Sequence, residues 1–170
     1  MQSNNISINL YMTINNKPTI VGLILLCLYI IQFVFKLEWY WLLNLQQEEM
    51  YKRWSGLVLA LLITFQWGLT LTRVVKKLRA YTLKMITIHK WLGALSPLVF
   101  YVHSMSMGYG YLLLMSYLFL SNALLGYINL DVIKNKSDWV FKSWMIVHVA
   151  FSIVITILMF LHIGVVFYYK

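Results

Sequence analysis

The sequence predicts an all-α integral membrane protein, a helical bundle with about five transmembrane helices. Of its 170 residues, 61% are hydrophobic and only 11% are charged, whereas soluble domains average about 25% charged residues. The mean hydropathy is +0.73, and the apolar runs are too continuous for the alternating strands of an outer-membrane barrel. This composition excludes a disordered or disulfide-stapled chain and disfavours a soluble globule. We therefore predict that residues 1–170 form a single transmembrane domain.

The first two predicted spans are residues 19–35 and 54–72. A helix needs about 20 mostly apolar residues to cross the hydrocarbon core, and both runs are close to that length. Lys17 and Pro18 stand immediately before the first span. This run continues into bulky residues instead of a small-residue cleavage site, so we predict an uncleaved span and not a signal peptide.

The remaining predicted spans are residues 85–107, 109–130 and 144–169. Lys90 is the one charged residue in the third span, and the fifth span contains none. Gly108 and Gly110 predict a very short turn between the third and fourth spans. Five tryptophans stand near predicted span ends, as interfacial aromatic residues do: Trp39, Trp41, Trp54, Trp139 and Trp144.

The distribution of lysine and arginine predicts the orientation in the membrane. The net charge is +9, and cytoplasmic loops carry an excess of basic residues. Five basic residues lie in the loop 73–84, and Lys134, Lys136 and Lys142 follow the fourth span. We expect a multi-pass protein of the bacterial inner (plasma) membrane with a cytoplasmic N-terminus. The charges interrupt apolar runs and form no basic groove, so we expect membrane lipid as a partner and no nucleic acid.

All four histidines lie within predicted spans, which is unusual because polar groups are costly there. His89 and His103 are on the third span, and His148 and His162 are on the fifth. Fourteen helical positions return to within roughly 40° of the starting direction and rise about 21 Å. The third and fifth spans run in the same direction, so the histidines form two depth-matched pairs. The inner pair is His89/His148 and the outer pair is His103/His162.

Two facing imidazoles in a membrane bundle are suited to bind the iron of a haem. Zinc would need four ligands, and no carboxylate lies within a predicted span to complete such a set. Haem iron needs only two axial ligands from the protein, and histidine is a common axial ligand. The sequence therefore predicts two haem b groups between the third and fifth spans, one on each histidine pair. Hydrogen bonding of the histidines between helices remains an alternative.

Weaker signals surround the histidines. Gly93 and Ser96 share a face with His89, and Ser152 stands at the matching step from His148, where small groups would let a porphyrin approach. Phe100 and Met159 each precede an outer histidine by three residues and would fill the space between the macrocycles. Pro97 would kink the third span. Candidate partners for the haem propionates are Arg79, Lys84, Lys90 and Lys142 on the inside, and Lys36, Lys52 and Arg53 on the outside.

With these histidines, residues 78–169 resemble the ferric reductase-like transmembrane domain, a group of b-type di-haem cytochromes. The segments that resemble it are 89–103 and 148–162, each beginning and ending in histidine. The resemblance implies haem iron ligation by His89, His103, His148 and His162. It also implies transmembrane electron transfer from a cytoplasmic-side or quinol donor to an outer-side acceptor.

The sequence also departs from that family. Members usually have six spans, and many continue into a flavin- and NADPH-binding domain, whereas residues 1–170 contain neither a sixth span nor a Gly-rich dinucleotide fingerprint. We therefore expect the electron-transfer component of an oxidoreductase, served by a separate redox donor and acceptor protein or a quinone. The alternatives are a cytochrome b subunit of a quinol-oxidising respiratory complex and a non-redox membrane transport or assembly protein.

Overall fold

The structure is a computed structural model that describes residues 17–128 and 138–168. These residues are all-α. The helices are α1 (Lys17–Val34), α2 (Tyr40–Leu45), α3 (Glu49–Gln66), α4 (Gly68–Val74), α5 (Thr82–His103), α6 (Tyr111–Tyr127) and α7 (Asp138–Tyr168), with a 3-10 helix (Lys76–Tyr81) before α5. The predictions for the N-terminal segment, for Lys134 and Lys136 and for residues 129–130 and 169 lie outside the described residues.

Four helical segments are long and apolar enough to cross a membrane: Lys17–Val34, Glu49–Val74, Lys76–His103 and Asp138–Tyr168. They correspond to the first, second, third and fifth predicted spans. The fourth predicted span corresponds to α6, an apolar helix of 17 residues, which is the short end of the range for a membrane-spanning helix. The all-α class and four potential spans are confirmed, and a membrane crossing by α6 stays a prediction.

α3 and α7 begin five and six residues earlier than predicted, more than the two and three residues at α1 and α5, and in both an acidic residue explains the start. α3 begins at Glu49 and α7 at Asp138, each with its carboxylate in the first turn, where it interacts favourably with the helix dipole. Glu49 also pairs with Arg53 at 3.3 Å, one turn along. The prediction of Lys142 in a loop was wrong, because Lys142 lies within α7.

The third predicted span ends too late, because α5 stops at His103 and not at Met107. The buried side chain of Gln46, just after α2, accounts for this. Its Nε2 donates to the terminal carbonyls of Tyr101 and Val102 at 2.9 and 3.0 Å, and its Oε1 accepts from the amide of Met105 at 3.1 Å. The last helical carbonyls are thereby satisfied without another helical turn.

The connection from α5 to α6 is longer than the very short turn predicted. It runs from residue 104 to residue 110, and Ser104 has an extended backbone. Gly108 and Gly110 have φ values of 72° and 59°, a region that glycine enters without the strain of a side chain. The glycines were correctly interpreted as turn residues, but the connection begins at residue 104, four residues before Gly108.

Pro97 lies inside α5 without ending the helix. It has no amide hydrogen, so it leaves the carbonyl of Gly93 without its helical donor. The hydroxyls of Ser96 and Tyr127 both donate to that carbonyl at 2.8 Å. Tyr127 of α6 fits there because α1 has Gly22 at the contact, where a Cβ would lie 2.5 Å from the tyrosine ring. The proline thus anchors α6 between α1 and α5.

The core lies between α1, α3, α5, α6 and α7, and many apolar side chains point outward from it, as expected in lipid. Phe100 of α5 stacks on Phe119 of α6 with ring centroids 5.2 Å apart. The buried cluster also contains Leu26, Tyr29, Leu59, Met107, Leu120, Tyr127 and Ile155. α1 packs on α5 and α6, α3 packs on α5, and α7 packs mainly on α6. Direct packing between α5 and α7 is sparse, which leaves space between the two histidine-bearing helices.

Candidate functional site

Two cavities lie in that space, and each is lined by one of the predicted histidine pairs. The inner cavity, of about 260 Å³, is lined by His89 and His148. The outer cavity, of about 760 Å³, is lined by His103 and His162. The structure thus brings together the same histidines that spacing and topology pair in the sequence.

The helices pass the two cavities in alternating directions. α1 contributes Pro18 to the inner cavity and Gln32 to the outer, and α3 contributes Gly56 to the outer cavity and Gln66 to the inner. α6 likewise runs from the outer to the inner cavity, whereas α5 and α7 run from the inner to the outer. An up-and-down bundle therefore encloses two sites at different levels.

A thin apolar layer separates the cavities. The side chains of Ile63, Phe119 and Ile155 line both, so a single layer of residues stands between the two cavities. Phe100 and Met159, expected to fill the space between two macrocycles, line the outer cavity. Both are buried and belong to α5 and α7, so they form the floor of the outer cavity.

The inner histidines face each other closely. The ring centroids of His89 and His148 are 6.3 Å apart, with an angle of 72° between the ring planes. His89 Nδ1 is 3.3 Å from the carbonyl oxygen of Gln66. A carbonyl can only accept, so Nδ1 carries the proton and the lone pair of His89 is on Nε2.

His148 lies in a different environment from His89. The indole of Trp144 stacks on its ring with centroids 5.7 Å apart and planes within 9°, and this indole donates to the carbonyl of Leu125 at 2.8 Å. His148 Nδ1 is buried without a hydrogen-bond partner among the described residues. Trp144 was predicted as an interfacial residue, but the structure places it half-buried against the inner cavity.

The outer histidines are held by side chains from other helices. His103 Nδ1 is 3.1 Å from Ser55 Oγ. Because the Ser55 hydroxyl donates its hydrogen to the carbonyl of Tyr51 at 2.7 Å, it accepts from His103, which again leaves the lone pair on Nε2. His162 Nδ1 lies 3.4 Å from the hydroxyl of Tyr111.

A glycine stands beside one histidine of each cavity. A Cβ on Gly56 would lie 3.0 Å from His103 Cε1, and a Cβ on Gly126 would lie 3.5 Å from His148 Cε1. The first distance is tighter than ordinary packing, whereas the second is a normal van der Waals contact. The predicted small residues Gly93, Ser96 and Ser152 line the inner cavity.

Cationic side chains line both cavities. All three outer candidates for binding acidic groups, Lys36, Lys52 and Arg53, line the outer cavity. Of the inner candidates, Lys90 lines the inner cavity, and Arg79, Lys84 and Lys142 are absent from its described lining. Arg73 lines the inner cavity but was interpreted as a topology signal only. It lies on α4, which follows α3 directly after the break at Trp67.

The sequence reasoning missed the residues that hold the histidines. Ser55, Gln66 and Tyr111 lie on α3 and α6, far from the histidines in sequence. Their identity alone does not indicate a contact with a histidine, because the contact depends on how the helices pack. The stacking of Trp144 on His148 was detectable, since the two residues are four positions apart in one helix.

Among the described residues, no three or more histidine, cysteine or acidic side chains are grouped so that they could hold a metal ion. Of the described residues that line the inner cavity, Gln66, Asn122 and His148 each have a buried side-chain polar atom without a hydrogen-bond partner in the described part of the chain: Oε1, Oδ1 and Nδ1 respectively. No protein-family model, no curated protein and no solved structure matches this chain. The interpretation of the two cavities therefore depends on their own chemistry.

Proposed function

We propose that this protein is a membrane cytochrome b that holds two haems and relays electrons across the bilayer. The observation that carries the proposal is that the four intramembrane histidines line two cavities in pairs, one above the other in the bundle. Buried polar groups in a membrane are costly. Two such pairs, in cavities separated by one apolar layer, are what a two-centre electron path would need.

The donor set suits haem better than a bare metal ion. Each cavity offers two imidazoles, and haem needs only two axial ligands because the porphyrin supplies the others. Metal–imidazole bonds are about 2 Å long, so two rings on opposite sides of one metal have centroids roughly 6 Å apart. The 6.3 Å separation of His89 and His148 agrees with this value.

The outer cavity also has a suitable size. Its volume of about 760 Å³ falls within the range of small-molecule and cofactor sites, about 300–1,000 Å³. The inner cavity, at about 260 Å³, is just below that range, and the Trp144 indole that lines it stacks on His148. We therefore expect the inner haem to bind with displacement of that indole.

The residues have distinct roles in this proposal. The Nε2 atoms of His89 and His103 are free to ligate iron, because Gln66 and Ser55 engage Nδ1; such outer-shell hydrogen bonds orient a ligating histidine and raise its basicity. Lys36, Lys52 and Arg53 would bind the propionates of the outer haem, and Arg73 and Lys90 those of the inner. When bound, haem supplies a one-electron iron couple whose potential the protein tunes.

The resemblance to the ferric reductase-like transmembrane domain is part of the proposal. It implies electron transfer from a cytoplasmic-side or quinol donor to an outer-side acceptor, while the distribution of basic residues assigns the inner haem to the cytoplasmic side of a bacterial inner membrane. The protein then acts as the electron-transfer component of an oxidoreductase.

Haem quantitation and a reduced-minus-oxidised spectrum of purified protein test this proposal. We expect two b-type haems per chain. His103→Ala and His162→Ala should each remove the outer haem, and the double variant should lose no more than either single one. His89→Ala and His148→Ala should instead remove the inner haem.

Fewer than two haems in well-loaded protein would contradict the two-site proposal. A fully folded protein without haem would favour a non-redox transport or assembly role. Loss of different haems from His103→Ala and His162→Ala would contradict the pairing.

A further inference from the structure

The connection between α4 and α5 carries a concentrated positive charge. Residues 73–84, which we call the basic segment, contain five basic residues and no acidic one, and the sequence has no acidic residue between Glu49 and Asp131. Within the part of the chain that the structure describes, none of these five side chains forms an ion pair. The five residues are Arg73, Lys76, Lys77, Arg79 and Lys84.

The basic segment is folded compactly at the end of the bundle. Its centre is the 3-10 helix Lys76–Tyr81, which packs mainly on α4 and α5, its neighbours in the chain. The hydroxyl of Thr82 donates to the carbonyl of Thr72 at 3.3 Å, so the two ends of the connection are tied together. The segment joins two helical stretches that are long and apolar enough to cross a membrane. Because charged side chains are costly within the hydrocarbon, we place the 3-10 helix at the level of the lipid head groups.

The 3-10 helix has two faces with basic residues and one apolar face. It has three residues per turn, so side chains three positions apart lie one above the other. Lys76 therefore shares a face with Arg79, and Lys77 lies on the second face. Leu78 shares the third face with Tyr81. No residue of this helix is buried, so the apolar face is turned to the surroundings and not to the core of the bundle.

The flanking residues continue this combination of charge and exposed apolar surface. Val74 and Leu83 are 71% and 80% exposed, and Lys84 is exposed beside Leu83. Amphipathic segments of this kind bind at membrane surfaces, where the apolar side chains enter the acyl boundary and the basic ones attract anionic lipids. A soluble acidic protein would match the basic faces only, whereas an anionic phospholipid matches both the basic faces and the apolar one.

We propose that the basic segment is a binding site for an anionic phospholipid. The phosphate of the head group lies against Lys76, Lys77 and Arg79, and the acyl chains begin along Leu78 and Tyr81. These five residues are absent from the described lining of both histidine cavities. The proposal therefore goes beyond the proposed function and does not depend on haem.

Native mass spectrometry of the purified full chain in detergent tests this binding. The protein is titrated with phosphatidylglycerol and with phosphatidylcholine of the same acyl chains, and each bound lipid is counted. We expect phosphatidylglycerol to bind more tightly, with a preference that falls as ammonium acetate is raised from about 0.1 to about 0.5 M, because salt screens the charges. Lys76→Gln/Lys77→Gln should weaken phosphatidylglycerol binding roughly fivefold for each charge removed, with little effect on phosphatidylcholine.

The matched control is Lys76→Arg/Lys77→Arg, which changes the same two positions and keeps their charge. It should retain the affinity and the preference of the parent. Leu78→Gln also keeps every charge but should weaken phosphatidylglycerol binding, because it removes part of the apolar face. All three variants change exposed positions, so their thermal midpoints should stay close to that of the parent.

Equal affinity of the parent for both lipids would overturn the inference, as would equal losses in the glutamine and arginine variants. A soluble polyglutamate peptide that binds the parent in place of the lipid, and not Lys76→Gln/Lys77→Gln, would overturn it in favour of an acidic protein partner. Haem content measured on the same samples keeps the two proposals apart. Two haems without a lipid preference would overturn this inference alone, whereas a lipid preference without haem would overturn the proposed function alone.

Discussion

At the scale of single residues, the hydrogen bonds to His89 and His103 decide which of their ring nitrogens is available to a ligand. Ser55 Oγ accepts from His103 Nδ1 at 3.1 Å, and this contact should increase the basicity of His103 as a ligand. In Ser55→Ala this hydrogen bond is lost, so His103 becomes a weaker base and stabilises ferric iron less. We expect the midpoint potential of the outer haem to rise by on the order of 20–40 mV, the equivalent of a net hydrogen bond of up to about 1 kcal/mol. A redox titration followed by absorbance measures it.

Ser121→Ala is the control for Ser55→Ala, because Ser121 is exposed on α6 and lines neither histidine cavity. Its potentials should equal those of the parent. An outer potential that falls or stays constant in Ser55→Ala would contradict the role given to Ser55.

The two glycines beside histidines predict opposite outcomes for the same substitution. Gly56→Ala puts a methyl group 3.0 Å from His103 Cε1, so the imidazole must shift and the outer haem should bind roughly tenfold more weakly or worse. Gly126→Ala meets His148 at an ordinary 3.5 Å and should retain the inner haem. Alanine is the better helix former by about 1 kcal/mol, so neither variant should unfold. Haem content per chain measures both, and equal losses would contradict the steric argument.

Much of the candidate site was predictable from the sequence, and the reason is geometric. The 14-residue spacing of His89 and His103, and of His148 and His162, fixes a common face and two depths on any straight helix. The spacing of the histidines could not predict which residues of the other helices lie against them. Ser55, Gly56 and Tyr111 come from α3 and α6, and their contacts depend on how those helices pack.

At the scale of elements, Gln46 is the residue that ends α5. It makes three hydrogen bonds to the backbone at and after the helix terminus. Gln46→Ala leaves two carbonyls and one amide with fewer partners, which should destabilise the fold by about 2–3 kcal/mol. Thermal unfolding in detergent measures the loss, and the spectrum of the outer haem should broaden because His103 is the last residue of α5.

Asn44→Ala is the matched control for Gln46→Ala, since Asn44 is exposed and lines neither histidine cavity, and a surface change of this kind typically costs less than about 0.5 kcal/mol. Equal melting temperatures in the two variants would contradict the capping role of Gln46.

The helix boundaries were less predictable than the helices themselves. Hydropathy located the spans because lipid requires long apolar runs, but it gives no weight to a polar residue such as Glu49 or Asp138 that starts a helix. The end of α5 was predicted four residues too late for a different reason. Residues 104–107 include two methionines, which continue the apolar run, and the cap comes from Gln46, about 60 positions earlier in the chain.

At the scale of the whole molecule, the two ends of the bundle differ in charge. The five basic residues from Arg73 to Lys84 lie on the inner-cavity side, in α4, the 3-10 helix and the start of α5. At the other end, Lys36, Lys52 and Arg53 are accompanied by Glu38, Glu48 and Glu49. A basic excess marks the cytoplasmic face, so the inner cavity should be the cytoplasmic one.

Labelling of single cysteines in intact cells tests this orientation. The chain has one cysteine, Cys27, so Cys27→Ser gives a background without thiols. In that background, Glu48→Cys should react with a membrane-impermeant maleimide from outside, and Lys77→Cys should react only after the cells are permeabilised. Both positions are exposed, so accessibility within the protein does not limit either reaction. The reverse pattern would invert the bundle and with it the assignment of inner and outer haem, while leaving the pairing of the histidines intact.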